Sequence, residues 1–177
     1  MIVYEFGISV KDYAELRKCN NFPRIELCPK CQKANEIIKH GFYSRWCWEL
    51  ELCIKRYFCK ACSITFSLLP SFLCQGISES LEVVERFLQH RSQGKTYKEC
   101  SEAIERPELS YQRAQYWSKR WQKKISQLRG ALPLKEMKKT LDIFQHLSLF
   151  FNLSEDSGRL FEATNRYFSL HFYRALL

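Results

Sequence analysis

Two short cysteine-containing segments, CPKC at residues 28–31 and CKAC at residues 59–62, decide how the first part of this chain folds. Each C-x-x-C segment can form a tight turn that directs two thiolates at one ion, and two such turns complete a closed tetrahedral site. Four thiolates with no open coordination position are typical of structural zinc. The spacing therefore predicts a structural Zn2+ ion with four ligands: Cys28, Cys31, Cys59 and Cys62.

The segments around these cysteines have the composition of β-strands. Residues 37–43 and 52–58 are rich in β-branched and aromatic side chains, and a shorter segment, residues 64–67, ends before Pro70. Turn, strand, strand, turn and strand is the layout of a zinc ribbon. We therefore predict a small three-stranded zinc-ribbon domain over residues 1–75.

The remaining cysteines lack metal-ligand spacing. The nine cysteines are odd in number, and we expect a cytoplasmic protein whose thiols stay reduced, so a disulfide scaffold is disfavoured. His40 lies on a predicted strand and is expected at the surface, facing solvent or DNA, rather than at the metal. We expect the other cysteines to act as small buried hydrophobic residues: Cys19, Cys47, Cys53, Cys74 and Cys100.

Beyond residue 76 the pattern becomes helical. Ser78 is a suitable N-cap for a first helix, and Thr96 with Glu99 fits a capping box at the start of a short second helix. Ser110 caps a third helix that is predicted to run to Leu128. We predict a helix-turn-helix-like helical domain at residues 76–130, so that the fold class is α+β: a small ribbon followed by an all-α bundle.

The third helix separates apolar from basic side chains. At 100° per residue its apolar positions fall within a sector of about 120°. Between Ser110 and Arg129 there are six basic residues and no acidic one. This pattern favours a recognition helix, although the solvated face of an ordinary bundle helix stays open as the alternative. The apolar positions are Tyr111, Ala114, Trp117, Trp121, Ile125 and Leu128.

Early residues of a recognition helix reach base edges, and later ones meet phosphates. The base-contacting candidates are Gln112, Arg113 and Tyr116. The phosphate-contacting candidates are Lys119, Arg120, Lys123 and Lys124 on the helix, with Arg45, Lys55 and Arg56 on the ribbon. The turn at residues 105–109 is longer than the usual three or so residues of a helix-turn-helix.

The net charge points to the same class of partner. The 177 residues carry 28 basic and 19 acidic side chains, a formal charge of +9, which favours a polyanion. No stretch resembles a membrane-spanning segment or a signal peptide, so we expect double-stranded DNA rather than a membrane as the partner. We expect a cytoplasmic, nucleoid-associated protein.

Three segments around the cysteine turns resemble a known family. CPKC at 28–31, HGFYSR at 40–45 and IKRYFCKACSITFSLLP at 54–70 resemble the N-terminal zinc ribbon of bacterial insertion-sequence transposases and of related small stand-alone proteins. In that family the ribbon precedes a helix-turn-helix, and the two bind the terminal inverted repeats of the element. The resemblance implies an end-binding or regulatory module, and it covers residues 27–70, continuing in general pattern to about residue 129.

We expect no enzymatic activity. A complete transposase of this kind continues into a nuclease domain with three metal-binding carboxylates, and 177 residues leave no room for it. Asp12, Asp142 and Asp156 are the chain's three aspartates and begin no recognisable catalytic motif.

Residues 131–177 are predicted as a C-terminal helical extension with two helices, one around Met137–Phe151 and one from about Gly158. Its aromatic side chains favour a packed helix pair, with a homo-oligomer or partner-protein contact as the alternative. For the whole chain, the alternative function is a zinc-ribbon module that binds another protein or RNA.

Overall fold

The structure is a computed structural model that describes residues 1–131, 143–152 and 159–172. In these residues the chain forms four strands, six α-helices and one 3-10 turn. In chain order they are β1 (Ile2–Tyr4), α1 (Val10–Leu16), the 3-10 turn (Arg17–Cys19), β2 (Ile37–Cys47), β3 (Leu50–Cys59), β4 (Ile64–Pro70), α2 (Leu81–Ser92), α3 (Tyr97–Ala103), α4 (Tyr111–Ala131), α5 (Ile143–Phe151) and α6 (Leu160–Phe172).

Two compact units divide the described chain. The first consists of Met1–Ser80 together with the described residues from Asn165 onward. The second consists of the described residues of Leu81–Thr164. The first unit contains the sheet and the second contains α2 to α5, so each is described by itself below.

The sheet is mixed and has the strand order β1-β4-β3-β2. β2, β3 and β4 pair antiparallel as consecutive hairpins, whereas β1 pairs parallel to β4 with Ile2 opposite Leu68. The β2–β3 hairpin turns tightly after Cys47, which pairs with Leu50, and Trp48 adopts a positive φ of 54° in that turn.

The predicted fold class is therefore wrong, although the α+β composition is right. A three-stranded ribbon followed by an all-α bundle is not what forms, because the sheet has a fourth strand from the N-terminal segment. A helix, α1, also precedes the ribbon strands, and it begins with a capping box between Ser9 and Asp12. The sheet unit further includes residues of α6, where the Asn165 amide donates to the carbonyls of Ser71 at 3.2 Å and Leu73 at 3.1 Å.

Aromatic side chains fill the core beside the sheet. Tyr13 of α1 is fully buried, and its hydroxyl donates to the carbonyl of Cys53 at 3.0 Å. The Phe6 ring lies edge-on to Tyr13 and Phe22, with centroids 4.9 and 5.7 Å apart. Burying apolar area of this kind, at about 25 cal/mol per Å2, is what fixes α1 and the N-terminal strand to the hairpins.

The helical unit follows the predicted pattern more closely, although α2 begins at Leu81, later than an N-cap at Ser78 would place it. The buried apolar residues of α2, which are Leu81, Val84, Phe87 and Leu88, lie at helical spacing. The Thr96 hydroxyl accepts from the Glu99 amide at 3.3 Å, and the Glu99 carboxylate accepts from the Thr96 amide at 2.6 Å, which confirms the capping box of α3. Ser110 caps α4 by accepting from the Arg113 amide at 3.3 Å.

Predicted inner residues of α4 are mostly buried. Ala114, Trp117 and Trp121 are buried, and the Trp121 ring contacts those of Phe144 and Phe161 at 5.7 and 4.5 Å. Tyr111 is an exception, because 57% of it is exposed. Ile125 is half-buried, and the side chain of Leu128 lies outside the described part of the structure.

Part of the predicted C-terminal extension lies outside the described residues. Of the two predicted helices, α5 and α6 occur within their spans, while residues 132–142, 153–158 and 173–177 are not described. The interaction role predicted for this extension stays a prediction.

A buried carboxylate links two elements of the helical unit. Glu85 of α2 has no exposed surface and accepts hydrogen bonds from the backbone amide of Phe161 at 2.8 Å and from the Gln89 side chain at 3.3 Å. Burial raises the pKa of Glu85 from 4.5 to about 7, although the amides of Phe161 and Leu160 partly oppose this. The folded protein therefore binds this proton more tightly than the unfolded chain does.

We expect the stability of the protein to fall between pH 4.5 and pH 7 because of Glu85. Below pH 4.5 both states are protonated. As pH rises to 7 the unfolded carboxyl ionises first, and up to about 3 kcal/mol of unfolding free energy is lost. The variant Glu85→Gln keeps an oxygen that accepts from the Phe161 amide. Urea unfolding at several pH values should give a flatter plot of unfolding free energy against pH for this variant. Equal slopes in the variant and the wild type would contradict the assignment. Glu108→Gln, at an exposed position of the helical unit, is the matched control.

Candidate metal centre

Four thiols lie together at the end of the sheet where the two cysteine turns meet. The Sγ atoms of Cys28 and Cys62 are 3.6 Å apart, those of Cys31 and Cys59 are 3.7 Å apart, and all four lie within 4.8 Å of one another. Ligands about 2.3 Å from one tetrahedral ion are separated by about 3.8 Å. The nine cysteines are free thiols. The prediction that these four cysteines form one possible metal site is confirmed.

The two cysteine turns share a backbone conformation. The first turn is closed by the Gln32 amide, which donates to the Cys28 carbonyl at 3.0 Å. The second turn connects β3 to β4, since Cys59 pairs with Ile64. In each turn the residue after the second cysteine has a positive φ, 58° at Gln32 and 54° at Ser63. The equivalent bends direct both thiol pairs at one point, even though neither position is a glycine.

The site is continuous with the hydrophobic core of the sheet unit. Cys28 and Cys59 are fully buried, and they cluster with Tyr57, Phe66 and Leu68. The rings of Tyr57 and Phe66 stack with centroids 5.8 Å apart. A metal ion held here would therefore tie the first turn to the sheet, and its loss would open the core.

The thiols differ in proton affinity before any metal is bound. Burial raises the pKa of Cys28, but amide hydrogen bonds from Cys31 and Lys30 outweigh it and bring the pKa to about 6. Burial and hydrogen bonds with the neighbouring thiols raise the pKa of Cys62 to about 12. An ion bound by four thiolates must displace the remaining protons, so metal binding here is accompanied by proton release.

The arrangement limits the chemistry of the site. A tetrahedral ion with four thiolate ligands has no position left for water or substrate, so it cannot polarise a carbonyl or activate a water molecule. It can hold the two turns together.

The other five cysteines lie apart from this cluster. Cys47, Cys74 and Cys100 are buried as predicted, Cys53 is half-buried, and Cys19 is exposed, contrary to the prediction. His40 is exposed, with its ring 5.7 Å from that of Phe58, and does not belong to the thiol cluster.

Two of the three basic residues predicted on the ribbon to contact DNA point into the protein. The Arg45 guanidinium donates to the carbonyls of Cys74 and Ile77, the latter at 2.7 Å. Lys55 is only 6% exposed, and its ammonium lies 4.0 Å from the centroid of the Phe42 ring. Burial lowers the pKa of Lys55, followed in size by the charge of Lys39. Both side chains make these contacts within the sheet unit, and a phosphate-contacting role for them is not favoured.

Arg56, the third ribbon candidate, is half-buried. It stands opposite Gly41 and Ser67 in the sheet.

The candidates on α4 lie on one accessible side of the helix. The exposed ones are Gln112, Arg113, Tyr116, Lys119 and Lys123, and the half-buried ones are Arg120 and Lys124. The Arg120 guanidinium donates to the Tyr116 hydroxyl, one helical turn away. The structure therefore brings the helix candidates together and separates them from the buried tryptophans.

A second set of cations was missed from the sequence. Arg91 and Lys95 flank the turn between α2 and α3 and contact Tyr97 and His90. The sequence does indicate this positive cluster, because residues 87–98 contain no aspartate or glutamate.

No protein family, curated protein or solved structure matches this chain. The transposase resemblance therefore rests on the residues quoted above. In the part of the chain that the structure describes, no helix is both long enough and apolar enough to cross a lipid bilayer.

Proposed function

We propose that this chain is a non-enzymatic DNA-binding protein in which a structural zinc ion holds the cysteine turns and the basic side of α4 docks on duplex DNA. The observation that carries the proposal is the separation of apolar and basic side chains on α4. Its tryptophans, Trp117 and Trp121, are buried, while Arg113, Lys119 and Lys123 are exposed, and no acidic residue lies between them. The resemblance to insertion-sequence ribbons supports an end-binding or regulatory role.

Zinc is the ion that suits the site best. Four thiolates at tetrahedral spacing select zinc or iron among the biological metals, and zinc adds no redox chemistry. Two of its four ligands, Cys28 and Cys59, are fully buried, which suits an ion with a purely structural role.

The exposed side of α4 has the dimensions of a groove-binding helix. Gln112, Tyr116, Lys119 and Lys123 are spaced by four, three and four residues, so they form one line along the helix. Eleven steps at 1.5 Å make that line about 16 Å long. A helix is about 10–12 Å across with its side chains, and the major groove is about 12 Å wide. An α-helix fits that groove, with polar side chains at one end and ammonium groups at the other.

Neutralising the two lysines should reduce the salt dependence of DNA binding. For Lys119→Gln with Lys123→Gln we expect the slope of log affinity against log salt to become shallower by about 1.8, because each phosphate that the protein no longer neutralises removes about 0.9. Fluorescence anisotropy with a labelled duplex between about 50 and 200 mM salt measures this slope. Lys11→Gln, at an exposed position of α1 in the sheet unit, is the matched control.

An unchanged slope in the double variant, or wild-type binding that does not depend on salt, would overturn the proposal. Selection from random duplexes then tests sequence recognition. An enriched repeated motif supports groove reading by Gln112, Arg113 and Tyr116. Selection without enrichment limits the protein to backbone binding.

A second candidate function rests on the outer strand of the sheet. β2 exposes 57% of Trp46 and 42% of Ile38, and the edge of a sheet can accept a strand from another protein. A protein-interaction module, or binding of RNA in place of DNA, is supported if the α4 double variant binds duplex DNA as the wild type does.

A further inference from the structure

The turn between α2 and α3 carries a concentrated positive charge. His90 and Arg91 lie in the last turn of α2, Lys95 lies between the two helices, and Lys98 is in the first turn of α3. No acidic residue occurs from residue 87 to residue 98. We call these four residues, with Tyr97 and Tyr111, the cationic corner.

Side-chain contacts order these cations. The Arg91 guanidinium donates to the carbonyl of Lys95 and lies 4.3 Å from the centroid of the Tyr97 ring. The Lys95 ammonium lies 3.0 Å from Nδ1 of His90. Arg91 and Lys95 are thus held in place by a backbone carbonyl, an aromatic ring and an imidazole nitrogen.

An aromatic contact joins the cationic corner to the start of α4. The rings of Tyr97 and Tyr111 meet edge-on with centroids 5.0 Å apart, and Phe87 packs 6.2 Å from Tyr97. Tyr111 is the first residue of α4 and is 57% exposed. The corner therefore adjoins the end of α4 that carries Gln112 and Arg113.

The two carboxylates next along the chain offset part of this charge from exposed positions. The Glu99 carboxylate accepts from both the amide and the hydroxyl of Thr96, and those bonds, together with the charge of Lys95, lower the pKa of Glu99. Glu102 lies 4.0 Å from Lys98, and both side chains are exposed. Exposed pairs of this kind are weak and exchange readily for a stronger partner.

We propose that the cationic corner is a second phosphate-contacting surface, which grips the sugar-phosphate backbone of the duplex that α4 enters. This inference rests on the proposed function. Guanidinium, ammonium and hydroxyl groups are the donors that bind phosphate oxygens, and they carry no base specificity. Because the corner adjoins the first turn of α4, it fixes how deeply that end of the helix sits in the groove.

Lys95→Gln tests the corner with little risk to the fold. Glutamine keeps a polar donor at this position, and the backbone carbonyl that Arg91 contacts is retained. We expect the salt slope to become shallower by about 0.9, so that the loss of affinity relative to wild type differs about 3.5-fold between 50 and 200 mM salt. The loss should be equal on every duplex sequence. Adding Lys98→Gln should double the change in slope.

Three outcomes distinguish a failure of this inference from a failure of the proposed function. If the α4 lysine variant loses salt dependence while Lys95→Gln and Lys98→Gln behave as the wild type, the cationic corner does not contact DNA. If the Lys95→Gln loss depends on the duplex sequence, the corner reads bases, and the backbone assignment is wrong. If neither the α4 nor the corner variants change the slope, the proposed function itself fails. Lys11→Gln serves again as control, and circular dichroism checks that each variant is folded.

Discussion

Replacing Cys59 by serine should abolish metal binding and unfold the first cysteine turn together with the adjoining sheet core. Cys59 is fully buried, and its Sγ lies 3.7 Å from that of Cys31. A structural zinc site contributes about 10–16 kcal/mol at neutral pH, whereas a whole domain has a net stability of about 5–15 kcal/mol. Removing the ion therefore costs as much free energy as the net stability of a whole domain.

Metal analysis and thermal unfolding measure the effect directly. The purified wild type should contain one zinc ion per chain, and a strong chelator should lower its melting temperature as the substitution does. Cys19→Ser is the matched control, because Cys19 is an exposed thiol outside the cluster. A Cys59→Ser protein that keeps a full equivalent of metal and melts with the wild type would refute the site. Iron in place of zinc would refute only the choice of metal.

Acid should release the ion as well. The ligands must be thiolates, and burial with neighbouring thiols raises the pKa of Cys62 in the metal-free site to about 12. Protons therefore compete with the metal increasingly as pH falls.

The parts of the structure that are determined locally could be predicted from the sequence. Two C-x-x-C turns, the capping box at Thr96 and Glu99, and the buried side of α4 depend on residues within a few positions of one another. Helical periodicity in particular repeats over many turns of α4, so its buried and exposed sides separate clearly.

Features that depend on distant contacts could not be predicted in this way. β1 has only three residues, too few to show an alternating pattern. It pairs in parallel with β4, which lies far from it in the sequence. Lys55 and Arg45 are predicted from the sequence to contact phosphates, which requires them to face solvent. Their actual partners, the Phe42 ring and the carbonyls after β4, become neighbours only when the sheet has formed.

Trp121→Ala should destabilise the helical unit by about 3–5 kcal/mol. Trp121 is only 5% exposed, and its ring lies 4.5 Å from that of Phe161 and 5.7 Å from that of Phe144, so truncation leaves a cavity beside the two phenylalanine rings. Urea unfolding followed by circular dichroism measures the loss of stability. DNA affinity should fall only to the extent that the unit unfolds.

This variant separates a structural tryptophan from one that stacks on nucleic-acid bases. A base-stacking residue contributes about 1–3 kcal/mol to binding and little to folding, so its removal would leave the unfolding curve unchanged and weaken binding even in fully folded protein. Tyr116→Ala is the matched control on α4, because Tyr116 is 46% exposed and its truncation creates no cavity. We expect the reverse pattern for it, with wild-type stability and weaker DNA binding. If Trp121→Ala and Tyr116→Ala exchanged these results, the side of α4 that meets DNA would be the one assigned to the core, and the proposed orientation of the helix would be wrong.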